Sequence, residues 1–290
     1  MNQTKTIRGC MLASVFAALL LVSCGKKDWQ PEVDQAVKAY EAKRYDEAIP
    51  VFVEAANDGH DGGQYMLGVC YEWGLGVEQD YAKALEWYRK AAEQGLPEAG
   101  MGVGFCYYAG HGVKQDYTEA EKWIRKSAEQ GYPHAQYVLG TLYEQGLGVE
   151  QDYFNAVNWF RKAAEQDYAP AQNELGFCYE SGNGVIADEF EAVKWIRKAA
   201  EQDYAEAQYH LAHCYEDGIG VKEDTAEAVK WLRKAADQDM ADALFHLAFF
   251  YRSGIGVEKD MAEAVRLLRK AADQGMKEAE LMLKLLESEE

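Results

Sequence analysis

In the stretch AQYHLAHCYEDG, residues 207–218, apolar or small residues fall at Ala207, Leu211, Cys214 and Tyr215. These are helical spacings and mark one face of a helix. Gly218 follows the last of them, where a C-terminal cap would stand. After the crossover IGVKE, Asp224 precedes TAEAVKWLRKAADQ, and a second apolar face runs through Ala228, Trp231, Leu232, Ala235 and Ala236. An acidic cap with Glu227 at the third helical position predicts a capping box, each side chain serving the other residue's backbone N–H. The pattern predicts two antiparallel helices.

It returns every 36 residues. Copies start at Tyr71, Tyr107, Tyr143, Tyr179, Tyr215 and Tyr251, and Trp87, Trp123, Trp159, Trp195 and Trp231 keep the same step, with Leu267 in the last copy. A fixed period in this range marks a repeat array. One helix pair cannot bury its own faces, so stability must come from stacking on neighbours. Small residues such as Ala163, Ala164, Ala199 and Ala200 leave room for that approach. The expected fold is all-α: a right-handed α-solenoid of antiparallel helix pairs with a 36-residue repeat.

Each copy carries a paired-glycine loop, Gly74-Leu75-Gly76 in the first, that opens a helix. Such loops can hold phosphate. Here Glu78 and Asp80 stand where a phosphate would be repelled, and the copies lack the Lys-Ser/Thr ending of a phosphate loop. The glycines are read as structural, supplying positive φ and close helix approach.

Residues 33–60 lack the Gly-x-Gly-Val loop and read as a divergent, tetratricopeptide-like first unit. Pro50 is expected to kink or shorten its second helix. Residues 277–290 read as a terminal amphipathic helix, with Ala279, Met282, Leu283 and Leu286 covering the last unit.

The N-terminus differs. Lys5 and Arg8 precede a twelve-residue apolar run, residues 11–22, too short to span a bilayer but suited to a signal peptide. The run ends in Leu21-Val22-Ser23-Cys24, which resembles the lipobox of bacterial lipoproteins. That resemblance implies cleavage after residue 23, lipid attachment at Cys24 and a tether over residues 24–32. With Gly25 rather than Asp after the cysteine, it implies an outer-membrane address facing the periplasm, ahead of the inner membrane or the cell surface.

The repeat also resembles a known family. The pattern A-x-x-x-LG-x-x-Y-x-x-G-x-GV, then DY-x-x-A-x-x-W-x-x-KAA-x-x-G, is similar to the Sel1-like repeat, a relative of the tetratricopeptide repeat. Leu139, Gly140, Tyr143, Gly146, Gly148, Val149, Asp152, Ala156, Trp159, Lys162, Ala163 and Ala164 carry it in one copy, and six copies span residues 61–276. Departures are local. Ala212 and Ala248 replace the Gly of Leu-Gly, and Asp167, Asp203 and Asp239 replace the closing Gly.

Charge narrows the function. The chain has 30 Lys and Arg against 49 Asp and Glu, a net −19, and loss of Lys5 and Arg8 with a signal peptide would deepen it. This disfavours nucleic acid. Cys70, Cys106, Cys178 and Cys214 share one repeat position with Leu142 and Phe250, which reads as buried hydrophobe rather than disulfide. His210 and His246 share another position, with His213 one turn from His210. Grouped imidazoles can hold zinc. No carboxylate at repeat spacing clearly completes the set, so no metal is expected and the histidines are read as solvated or partner-facing. Arg-Lys pairs such as Arg233-Lys234 are read as neutralised by acids three residues on, such as Asp237. No catalytic set stands out, so neither enzyme activity nor a cofactor is expected.

The expected role is a monomeric, membrane-anchored scaffold that binds an unidentified protein or peptide. The alternatives are binding of peptidoglycan fragments or other cell-wall ligands, which the resemblance brings with it, and a secreted factor contacting a host. In superhelices of paired helices the first helix lines the concave side. There, one position reads Val69, Phe105, Thr141, Phe177, His213 and Phe249, and another Met66, Val138, Glu174, His210 and His246. The candidate partner face is therefore Phe105, Phe177, His213, Phe249, His210 and His246. The same phenylalanines could instead pack between units.

Overall fold

The computed structural model describes residues 27–289. The expected signal over 1–23 and Cys24 lie outside the described residues. Those described form fifteen helices and no strand, and none of the helices is long and apolar enough to cross a membrane. They divide into two compact units. The first runs to Leu142 and takes in 146–150; the second holds Tyr143–Gln145 and the chain from Gln151 on. The first contains α1 (Gln30–Glu41), α2 (Tyr45–Asn57), α3 (Asp61–Trp73), α4 (Tyr81–Glu93), α5 (Pro97–Ala109) and α6 (Tyr117–Glu129), and α7 (Pro133–Gln145) straddles the division. The second contains α8 (Tyr153–Ala164), α9 (Ala169–Ser181), α10 (Glu189–Glu201), α11 (Ala205–Asp217), α12 (Thr225–Asp237), α13 (Ala241–Ser253), α14 (Met261–Asp273) and α15 (Lys277–Glu289). Within each unit consecutive helices pack on one another, the all-α packing of a solenoid.

The local causes repeat. Second helices start at an aspartate: Asp80, Asp116, Asp152, Asp188, Asp224 and Asp260 each accept a backbone N–H of the first turn. Each cap contributes about 1 kcal/mol. The capping box expected at Asp224 is only half formed. Asp224 accepts the Glu227 N–H at 3.0 Å, but its own N–H donates to the Tyr215 carbonyl at 2.8 Å. The Glu227 side chain instead accepts from Lys230. A backbone acceptor on the preceding helix has taken the donor that the box would use.

First helices end at a left-handed glycine, such as Gly218 with φ 72°. The second glycine of the loop answers to packing. A Cβ on Gly220, φ 60°, would run into the Glu189 carbonyl oxygen at the start of α10. The loop thus seats on the preceding second helix. The closing position is also left-handed. Asp167, Asp203 and Asp239 hold φ of 58–59° where other copies have glycine, and Gln208 donates to the Asp203 carboxylate at 3.2 Å. Aspartate is among the few residues that visit this region.

The core is built from the alanine columns of the second helices together with the first-helix apolar residues. Cys70, Cys106, Cys178 and Cys214 are free and buried in it, and burial pushes each thiol up to about 12. Where α9 carries Gly176, a Cβ would meet the β-branched Ile196 side chain; in the next copy Ala212 goes with Leu232, which is not branched at Cβ. That accounts for the substitution.

The ends differ from expectation in two ways. Pro50 lies inside α2, yet this helix keeps 13 residues and is not shortened. The tether expected over 24–32 ends sooner, because Trp29 is buried, donates to Asp58 at 2.7 Å, and α1 starts at Gln30. At the other end α15 buries Ala279 and packs Met282, Leu283 and Leu286 partly against the core, as expected.

Candidate partner-binding face

Most polar groups of the repeat serve the repeat. Arg161, Arg197 and Arg233 donate to the hydroxyls of Tyr179, Tyr215 and Tyr251 in the next copy, at 2.8–3.1 Å. Lys162, Lys198 and Lys234 lie 3.7–4.2 Å over Trp159, Trp195 and Trp231. This corrects the reading of the Arg-Lys stripe. In these three copies its charges are engaged by tyrosine hydroxyls and tryptophan faces, while Lys90 pairs with Glu86 and Arg125 with Glu121, acids one turn before them on the same helix. Buried Gln172 and Gln208 donate to the Ala164 and Ala200 carbonyls and accept from Gln202 and Gln238. They satisfy the carbonyl ends of the second helices.

On the first helices the candidate residues fall into three settings. Phe105 is half-buried with its ring edge-on to His111 at 5.7 Å. Phe177 and Phe249, at the same repeat position, remain 43% and 45% exposed. The Arg252 guanidinium lies 5.9 Å from the Phe249 ring. Of the two readings left open for the phenylalanines, packing describes Phe105 and exposure describes Phe177 and Phe249. Glu174, on the neighbouring column, has its carboxyl pushed up to about 7, by burial first and by Glu144 second.

The histidines come together in part. His213 and His246 have ring centroids 4.8 Å apart. Both face Glu216, whose Oε2 lies 3.7 Å from His213 Nδ1 and 3.2 Å from His246 Nε2. His210 points elsewhere, with its Nδ1 2.9 Å from Asn173 Oδ1. Burial, and then the neighbouring His246, hold His213 below the usual histidine range. Sequence reasoning missed Glu216. It stands one turn beyond His213 on α11, while His246 belongs to the next copy, so the set follows neither the repeat spacing nor one helix.

A second apolar surface was also missed. Ile186 is 89% exposed, Phe190 77% and Phe154 66%. Phe154 and Ile186 border a shallow groove with Val157, Arg161 and Val185. The equivalent groove at α4 has Ala82 where Phe154 stands. The signal was legible by column: Ile186 occupies a position that reads Glu78, Lys114, Glu150, Lys222 and Glu258 elsewhere.

Comparison with known proteins places these features. The chain is 35% identical to a protective antigen of uropathogenic Escherichia coli with an SLR fold, at TM-score 0.75, over 89% of this chain and 56% of that one. It thus spans little more than half of that antigen. A Sel1 repeat protein from Oxalobacter formigenes is 34% identical at TM-score 0.74, over 82% of this chain and 96% of that one. Yeast Tom70, at 15% identity and TM-score 0.50 over 99% of this chain and 72% of that one, shares the fold alone. No protein of curated function matches. The Sel1 repeat model matches residues 62–96, 97–132, 133–168, 169–204, 205–240 and 241–276. Sel1 repeat proteins are scaffolds, generally protein-interaction modules and generally non-catalytic. Because the matched copies run without a break through the described helix pairs, the chain belongs to the Sel1 repeat family.

Proposed function

We propose that the protein is a monomeric scaffold, lipid-anchored through Cys24 at the bacterial cell envelope, that binds a protein or peptide on the first-helix face of its second unit. The observation that carries this reading is the exposure of Phe177 and Phe249 on first helices whose tyrosines, Tyr179 and Tyr251, are taken up by Arg161 and Arg233 of the preceding copy. Half-exposed aromatic rings cost hydration and gain from a partner. The lipobox-like Leu21–Cys24 and the following Gly25 support anchoring at the outer membrane, facing the periplasm.

The test is capture from solubilised envelopes by the full chain and by the Phe177→Ser, Phe249→Ser double variant. The reading expects a specific protein that the variant loses, with melting unchanged to within about 2 °C. A large fall in melting would make the rings core. Retention on purified sacculi without protein prey would favour a cell-wall ligand instead. For the anchor, Cys24→Ser should end incorporation of labelled palmitate; continued labelling contradicts it.

A further inference from the structure

Beyond that reading, we infer that His213, Glu216 and His246 form a binding site for one divalent transition-metal ion of the zinc class. The three ligand atoms lie within 4.8 Å of one another. Two of the separations, 3.2 Å for His246 to Glu216 and 3.7 Å for His213 to Glu216, are near what coordination needs. A tetrahedral ion with bonds of about 2.05 Å places its ligands roughly 3.3 Å apart. Only the two imidazole nitrogens have to draw closer, by a small rotation of the rings.

The repeat explains the convergence. His213 and Glu216 are one turn apart on α11, so they share a face. His246 on α13 occupies the position of His210 in the next copy, one turn short of the equivalent of His213. The three donors therefore come from two rigid helices. Packing holds the rings: His213 lies edge-on to Tyr209 at 4.6 Å, and His246 lies 5.2 Å from Phe250 and 6.1 Å from Tyr209.

A plain histidine–carboxylate pair explains this less well. Such a pair needs one imidazole, and here two turn toward the same oxygen with their ring centroids 4.8 Å apart. If both were protonated they would repel; one shared cation satisfies all three. Glu180 and Asp217 act electrostatically on His213 and add negative potential. Two imidazoles with one carboxylate suit zinc, cobalt or nickel, whereas calcium and magnesium prefer oxygen throughout. Three protein ligands leave a fourth position to water or to a side chain brought by a partner. By column, the histidine, the glutamate one turn on and the histidine of the next copy coincide in a single pair of copies. The stoichiometry should be one.

The experiment uses the tag-free full chain, stripped with chelator. Co²⁺ is titrated by its visible absorption, Zn²⁺ by calorimetry and by displacement of Co²⁺. The expected result is one equivalent, with affinity lowered by about 100-fold or more in His246→Ala and in Glu216→Gln, since even outer partners of a site cost 10- to 100-fold. Metal-free melting of both variants should match wild type, and Zn²⁺ should raise the melting temperature of wild type alone. The variant His111→Ala, which removes a histidine of the first unit instead, should bind as wild type does. No visible band and no Zn²⁺ heat, or wild-type affinity in His246→Ala, would overturn the site. Loss of metal binding with partner capture intact would leave the scaffold reading standing.

Discussion

Glu72 in the first unit and Glu216 in the second occupy the same repeat position, with opposite fates. Glu72 is 1% exposed and accepts the Tyr88 hydroxyl at 2.6 Å. Its other oxygen has no partner, and burial raises its pKa against the lowering effect of that hydrogen bond. Glu216 lies near the surface between two histidines. The neighbouring column decides between them. Tyr88 supplies a hydroxyl that reaches back into the core, whereas Leu232 at the equivalent place offers none. A carboxylate at the same repeat position is therefore a structural group in one unit and part of a candidate site in the other. The repeat sets where a side chain starts, and the residues of adjacent columns set what it does.

The largest effect should come from cutting the Glu72 bond. Tyr88→Phe strands a buried carboxyl group and should lower unfolding stability by about 2–3 kcal/mol. Urea unfolding measures it, and a loss as small as that of Glu216→Gln would erase the contrast.

Glu174 tests burial within the second unit. Its folded pKa of about 7 lies above the ordinary value of 4.5. The stability linked to its protonation is thus fully present below about pH 4.5 and is lost as pH rises through about 7. Glu174→Gln should stabilise by about 1–2 kcal/mol at pH 8, discounted for partial exposure, and by nothing measurable at pH 4. Equal gains at both pH values would contradict the cause given.

The closing turns separate the copies more finely, with Gly95 and Gly131 in the first unit, and Asp167, Asp203 and Asp239 followed by Gly275 in the second. Asp203→Ala keeps the left-handed strain and loses the Gln208 bond, so about 1 kcal/mol should go. Asp203→Gly should stay within about 0.5 kcal/mol, because relief of strain offsets added chain entropy. The smallest effect belongs to Glu216→Gln without metal, below about 0.5 kcal/mol, since this half-exposed group is not part of the packing.

Helix pairs, glycine turns, aspartate caps and the alanine core were legible in the sequence because each is local or strictly periodic. The errors were of another kind. The Asp224 N–H bonds to Tyr215, on the helix before it. Arg233 reaches Tyr251 in the next copy, and Lys234 turns back over Trp231. The cluster of His213, Glu216 and His246 joins two columns on one helix to a third on another. Reading one column at a time tells which positions vary, but not which varied residues meet. The exposed Ile186 does stand out in its column, where the other copies carry only Glu or Lys.

The central claim is that one first-helix column is packed away at Phe105 and presented to a partner at Phe177 and Phe249. A photo-crosslinking phenylalanine analogue placed at each position in turn, in cells bearing the full chain, reads it directly. The account predicts a discrete protein adduct from positions 177 and 249 and none from position 105. Equal adducts from all three, or adducts from position 105 alone, would contradict it.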